Sequence, residues 1–176
     1  MKFIPASAVA LGTLLALSGC ITVQVPPSGS APSAAASAEG EESLRPAPGA
    51  VVDCDSRPVL LNQPGATYRL SGNCGTVTIE GQDITVDLDG AAVVEIRGDR
   101  VSIDADMIGA LSLSGQNNSV DADSADSATV AGDRNDLELD SIGSLTIDGN
   151  DNRVDTDQPI GTVADNGSRN LVTTDD

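Results

Sequence analysis

The chain has 176 residues, with 27 Asp or Glu against 9 Lys or Arg, and a formal charge of −18 with no His and no Trp. Charge of this sign and size excludes nucleic acid and anionic lipid surfaces as docking partners. One Tyr, one Phe and a single lysine, Lys2, leave little for acid–base chemistry and no aromatic platform for stacking sugar rings.

The first segment, residues 1–19, reads as a leader. Lys2 supplies a positive start, an apolar run follows from Ala6 to Leu17, and the run ends in Leu17-Ser18-Gly19-Cys20. The run is too short for a stable spanning helix. The ending resembles a bacterial lipobox, which implies cleavage before Cys20 and a lipid on its sulfur. An acyl chain contributes roughly 0.8 kcal/mol per buried CH₂, so the expectation is an exported protein anchored to a membrane of the cell envelope. Loss of the leader removes Lys2 and leaves eight Arg against 27 acids, 21 of them Asp.

Residues 20–50 are rich in Ala, Ser, Pro and Gly, with Glu39, Glu41 and Glu42. Such a stretch has too little apolar surface to offset its ordering entropy and reads as a tether. Residues 51–75 carry Pro58, Pro64, Tyr68, Leu70 and the two remaining cysteines. They break the pattern that follows, and read as an N-terminal cap of the kind solenoids need. An even pair of cysteines in an exported domain predicts a disulfide, Cys54–Cys74.

From residue 76 to 176 the chain is periodic. Gly81, Gly98, Gly115, Gly132 and Gly149 are 17 residues apart, and Gly167 follows after 18. Five after the glycine stand Val86, Ile103, Val120, Leu137, Val154 and Val172. Seven after it stand Leu88, Ala105, Ala122, Leu139, Thr156 and Thr174. Apolar and polar residues alternate, which is the period of strands with one face buried. Seventeen residues cannot hold two strands and a helix. The expectation is an all-β, single-domain parallel β-helix, a β-solenoid of about six 17-residue coils. The handedness of parallel crossovers favours a right-handed one. Three after the glycine stand Ile84, Val101, Asn118, Asn135, Asn152 and Asn170, and the four asparagines predict a ladder of paired side-chain amides.

The repeating form is exemplified by Leu145-Thr146-Ile147-Asp148-Gly149-Asn150-Asp151-Asn152-Arg153-Val154. It resembles Domain of Unknown Function 3060, found in mycobacterial and other bacterial lipoproteins, over about residues 70–174. Ile84 and Val101 depart from it, standing where the family favours Asn. The resemblance implies an exported β-solenoid and no activity.

The outward positions hold the chemistry. Six after the glycine stand Asp87, Asp104, Asp121, Glu138 and Asp155; eight after it stand Asp89, Asp106, Asp123, Asp140 and Asp157, with Asp175 closing the row. Stacking would put these carboxylates roughly 4.8 Å apart in files, and like charges directly opposite destabilise a sheet. Nine of them, Asp87, Asp89, Asp104, Asp106, Asp121, Asp123, Asp140, Asp155 and Asp157, are candidate ligands for weak, multi-site Ca²⁺ binding. The plainer reading is a solvated acidic face that a cationic envelope partner or dissolved cations would meet. No nucleophile–base pair emerges, so no enzyme, catalytic residue or resident cofactor is expected. A carbohydrate-active β-helix enzyme is the alternative from another class. The main expectation is a non-catalytic structural or interaction module.

Overall fold

The computed structural model describes residues 42–175. The leader, Cys20 and the tether up to residue 41 lie outside the described residues. Ten strands follow in order: β1 (Val51–Asp53), β2 (Val59–Leu61), β3 (Thr67–Ile79), β4 (Thr85–Ile96), β5 (Ser102–Leu113), β6 (Ser119–Val130), β7 (Asp136–Ile147), β8 (Arg153–Thr156), β9 (Thr162–Asp165) and β10 (Leu171–Thr174). Every pairing is parallel. The chain is a β-solenoid of about 7 turns.

Register makes each sequence column a vertical file. Val86 pairs with Ile103, Ile103 with Val120, Val120 with Leu137 and Leu137 with Val154. All five are buried, as are the files of Val77 and Ile79 from β2 to β7, so the core is one continuous stack of Val, Ile, Leu and Ala. Each fully buried aliphatic side chain contributes roughly 1.5–3 kcal/mol, and none of these files needs a partner outside the coil. Along β4 the outward side chains of Thr85, Asp87 and Asp89 alternate with buried Val86 and Leu88.

Residues 51–75 were expected to stand outside the repeat as a cap. They form a further coil instead. Val51 pairs with Arg69 and Val59 with Val77, an offset of 18 rather than 17. Each of the first two coils carries one extra residue, one between Asp53 and Val59 and one in β3, where the register shifts between Leu70 and Asn73 and Gly72 takes a φ of 72°. These two insertions mask the coil in the 17-residue period. Pairing also begins before residue 51. Leu44 donates to Pro58 O at 2.7 Å and accepts from Leu60 N at 2.8 Å, so the fold reaches into what read as tether. The disulfide joins Cys54 and Cys74, both buried, and pins the first coil to the second.

The glycine file has a steric cause. A Cβ on Gly98, Gly115, Gly132, Gly149 or Gly167 would lie 1.8 Å from the carbonyl oxygen of the glycine one rung below. The left-handed residue of each turn is two places later, with φ of 57° at Asp83, 55° at Arg100, 55° at Asn117, 56° at Arg134, 57° at Asp151 and 59° at Arg169.

The buried asparagines form the expected ladder. Asn118 donates through its backbone N–H (2.9 Å) and Nδ2 (3.1 Å) to Asn135 Oδ1. Asn135 does the same to Asn152 at 2.9 and 3.1 Å, and Asn152 to Asn170 at 2.9 and 3.2 Å. Asn135 Nδ2 also donates to Gly115 O at 3.1 Å, and Asn152 Nδ2 to Gly132 O at 3.0 Å. The ladder therefore satisfies the carbonyls that the glycine file brings close.

Candidate functional site

Strands β4 to β8 build the acidic face. Pairing sets Asp87 beside Asp104, Asp104 beside Asp121, Asp121 beside Glu138 and Glu138 beside Asp155. The flanking residues of each strand point into the core, which forces these side chains outward. Asp89, Asp106, Asp123 and Asp140 form a second exposed file two residues on, and Asp157 extends it just past the end of β8. The structure thus brings all nine candidate aspartates onto one face, in two files.

The files differ along their length. Asp87 pairs with Arg69 at 2.7 Å. Asp89 accepts from Gly72 N at 2.8 Å. Asp155 contacts Arg153 and accepts from Thr173 Oγ1 at 2.6 Å. Between these tied ends, Asp104, Asp106, Asp121, Asp123, Glu138 and Asp140 enter no ion pair among the described residues. Six formal charges in adjacent positions of three rungs are left to solvent and its ions.

Among the described residues no three acids or cysteines converge to hold one metal ion. The reason is geometric. Neighbouring carboxylates in a file are a rung apart, and the two files are separated by roughly 7 Å along the strand. A cation meets two carboxylates at a time, and water must supply its remaining oxygens. Near the N-terminal coils the same face holds a shallow groove in which Thr67, Thr85 and Ser102 flank Arg69, Asp87 and Asp104.

The left-handed turns hold a different arrangement. Arg100 grips Asp83 through two hydrogen bonds, 2.6 and 2.9 Å, and Arg169 grips Asp151 at 2.5 and 2.6 Å. These hydrogen bonds from the guanidinium groups hold both carboxyls below the usual carboxylate range. Arg134, between them, donates to Asn117 Oδ1 at 3.2 Å and to Gln116 Oε1. The alternation of Asp, Arg and Asn in this column balances charge from rung to rung. The alternation is visible in the sequence, but the backbone state beneath it is not. The signal was the share of Asp and Asn at that column, since both tolerate the left-handed region better than other side chains do.

Tyr68 is the one buried phenol, and its hydroxyl makes no hydrogen bond. Burial raises its pKa, and the nearby Gln63 backbone offsets this in part. It points into the solenoid and belongs to the core of the first coils.

Residues 113–169 match the family described as Protein of unknown function (DUF3060). The matched stretch contains Asn118, Asn135 and Asn152 of the ladder and the glycine file from Gly115 to Gly167. The two coils that carry Ile84 and Val101 in place of asparagine lie before the DUF3060 match, although the structure continues through them without interruption. No curated protein and no solved structure matches the chain.

Proposed function

We propose that this chain is a non-catalytic interaction module of the cell envelope, tied to a membrane by lipid on Cys20 and presenting its acidic face to a cationic partner. One observation carries the reading: the carboxylates repeat in register from Asp87 to Asp155, rung after rung. A lattice of equivalent groups suits extended contact with a surface or polymer that repeats its own charge. Electrostatic complementarity of this kind acts on specificity and association rate.

Pull-down from intact envelopes tests it. The chain should retain cationic partners that the Asp104→Asn, Asp106→Asn, Asp121→Asn, Asp123→Asn variant loses. Equal recovery by both would end this reading. Cys20→Ala should move the protein from the membrane fraction to the soluble one.

A second reading, weak binding of divalent cations, is favoured by the six carboxylates without ion-pair partners among the described residues in the middle of the face. It predicts heat and a rise in melting temperature on titration with millimolar Ca²⁺, beyond that given by NaCl of equal ionic strength. No heat and no shift would remove it.

A further inference from the structure

The two ends of the solenoid are stepped, and the steps match. At the N-terminal end, one side of the coil stops at β1, while the other reaches a rung lower, where Leu44 pairs with Val59. At the C-terminal end, the first side reaches β10, while the other stops a rung lower at β9. The same chain path makes both steps, so the lower surface of one copy has the profile that the upper surface of another lacks. We propose that copies of this chain stack head to tail, β10 of one pairing in parallel with β1 of the next while Leu44 of the next covers Val163.

Two observations converge on a second copy as the occupant. First, register continues. Val52 stands in the file of Leu70, Leu88 and Thr174, and Leu44 in the file of Val59, Val77 and Val163. A junction would thus repeat the pairing already made between successive coils. Second, three of the four large apolar side chains exposed among the described residues lie at these ends, Met107 on β5 being the fourth. Val51 is 68% exposed, Val163 50% and Leu171 52%, although Val163 belongs to a file buried everywhere below it. One contact opposes the junction. Asp175 would meet Asp53, and the net charge of each copy is strongly negative, so added salt should promote stacking.

The upper edge also has free backbone groups. Leu171 N donates to Asn152 O at 2.8 Å and Asp175 N to Thr156 O at 2.9 Å. Alternation turns the amides of Val172 and Thr174 away from β8, toward the next rung. A head-to-tail contact of this kind does not close on itself and grows into rods.

The test uses two blocked variants of the full chain carrying Cys20→Ala, so that no lipid contributes. Val163→Lys with Thr174→Pro blocks the upper end, and the proline removes an amide that has no partner within the coil. Arg45→Glu with Val51→Lys blocks the lower end at exposed positions. Sedimentation velocity across a concentration series, at low and at molar salt, reads the assembly. The unblocked chain should form species larger than a dimer, more so at high salt. Each blocked variant alone should stay monomeric, and an equimolar mixture should stop at the dimer, since each partner offers one open end. A monomeric unblocked chain at all concentrations would overturn the proposal. So would a blocked variant that dimerises by itself, or a mixture that stays monomeric. Circular dichroism of each variant confirms that its fold is intact.

Discussion

Asn135 Oδ1 accepts from both the backbone N–H and the side-chain amide of Asn118, one rung away, at 2.9 and 3.1 Å. The Asn135 amide in turn donates to Gly115 O. Replacing Asn135 with Val therefore leaves two donors and one acceptor unsatisfied inside the core. Each such group costs about 1–3 kcal/mol. Asn118→Val removes the acceptor for Val101 N at the start of the ladder and imitates a column that already holds Val101 and Ile84. Denaturant unfolding should show Asn135→Val destabilised by about 3 kcal/mol or more and Asn118→Val by roughly a third as much. Equal losses would mean that the ladder is not a directional chain.

Much of this was legible beforehand. The columns Val86 to Val154 and Leu88 to Thr156 fell on buried positions because alternation and period fix both face and rung. The acidic files followed from the same arithmetic. The first coil was missed because its offset is 18 and the bulge at Gly72 interrupts the count. Leu44 was missed because Pro46, Pro48 and Gly49 give its neighbourhood the composition of a linker, while the pairing that orders it comes from Val59, 15 residues on. The left-handed turn escaped because Arg100, Arg134 and Arg169 occupy a position where sequence rules expect Gly or Asn.

The glycine file supplies a sharper stability test. An alanine at Gly115 puts its Cβ 1.8 Å from Gly98 O and 2.9 Å from Asn118 Nδ2. Backbone carbonyls held by strands on both sides cannot yield, so the two rungs must separate and the ladder must break. Gly115→Ala should cost about 3 kcal/mol or more. Gly65→Ala, which meets open space but sits at a φ of 71°, should cost only about 1 kcal/mol. Comparable melting temperatures for the two variants would contradict the steric account.

The Cys54–Cys74 bridge spans 20 residues and closes the first coil onto the second. The chain-entropy model gives such a loop about 3 kcal/mol. Reduction, or replacement of both cysteines by Ala, should lower stability by about that amount. Hydrogen exchange should rise first in β1 and β2, while β5 and β6 keep their protection. Uniform loss of protection across the solenoid would argue that the bridge does not act locally.

Asp83 and Asp151 have carboxyl pKa values lowered by hydrogen bonds from Arg100 and Arg169. Lowering means that the folded state binds a proton less readily than the unfolded chain does. Their contribution is present above the unfolded value of about 3.9 and is lost as pH falls through the folded one. Both side chains are exposed, so the effect is modest. Asp83→Asn should be less stable than the parent at neutral pH, with the gap closing as pH drops below about 4. A gap that widens in acid would reverse the assigned cause.

The middle of the acidic face makes the opposite prediction about charge removal. Asp104 and Asp121 are cross-strand neighbours, and neither has an ion-pair partner among the described residues. Like charges directly opposite destabilise a sheet by a few tenths to about 1 kcal/mol per pair. Substituting Asn at Asp104, Asp106, Asp121 and Asp123 keeps shape and removes the repulsion. The variant should therefore unfold at higher denaturant than the parent in low salt, and the difference should shrink toward zero in about 1 M NaCl, where the screening length is about 3 Å. A loss of stability in low salt would show that these carboxylates are held by attractive contacts, and the reading of the face as uncompensated charge would fall.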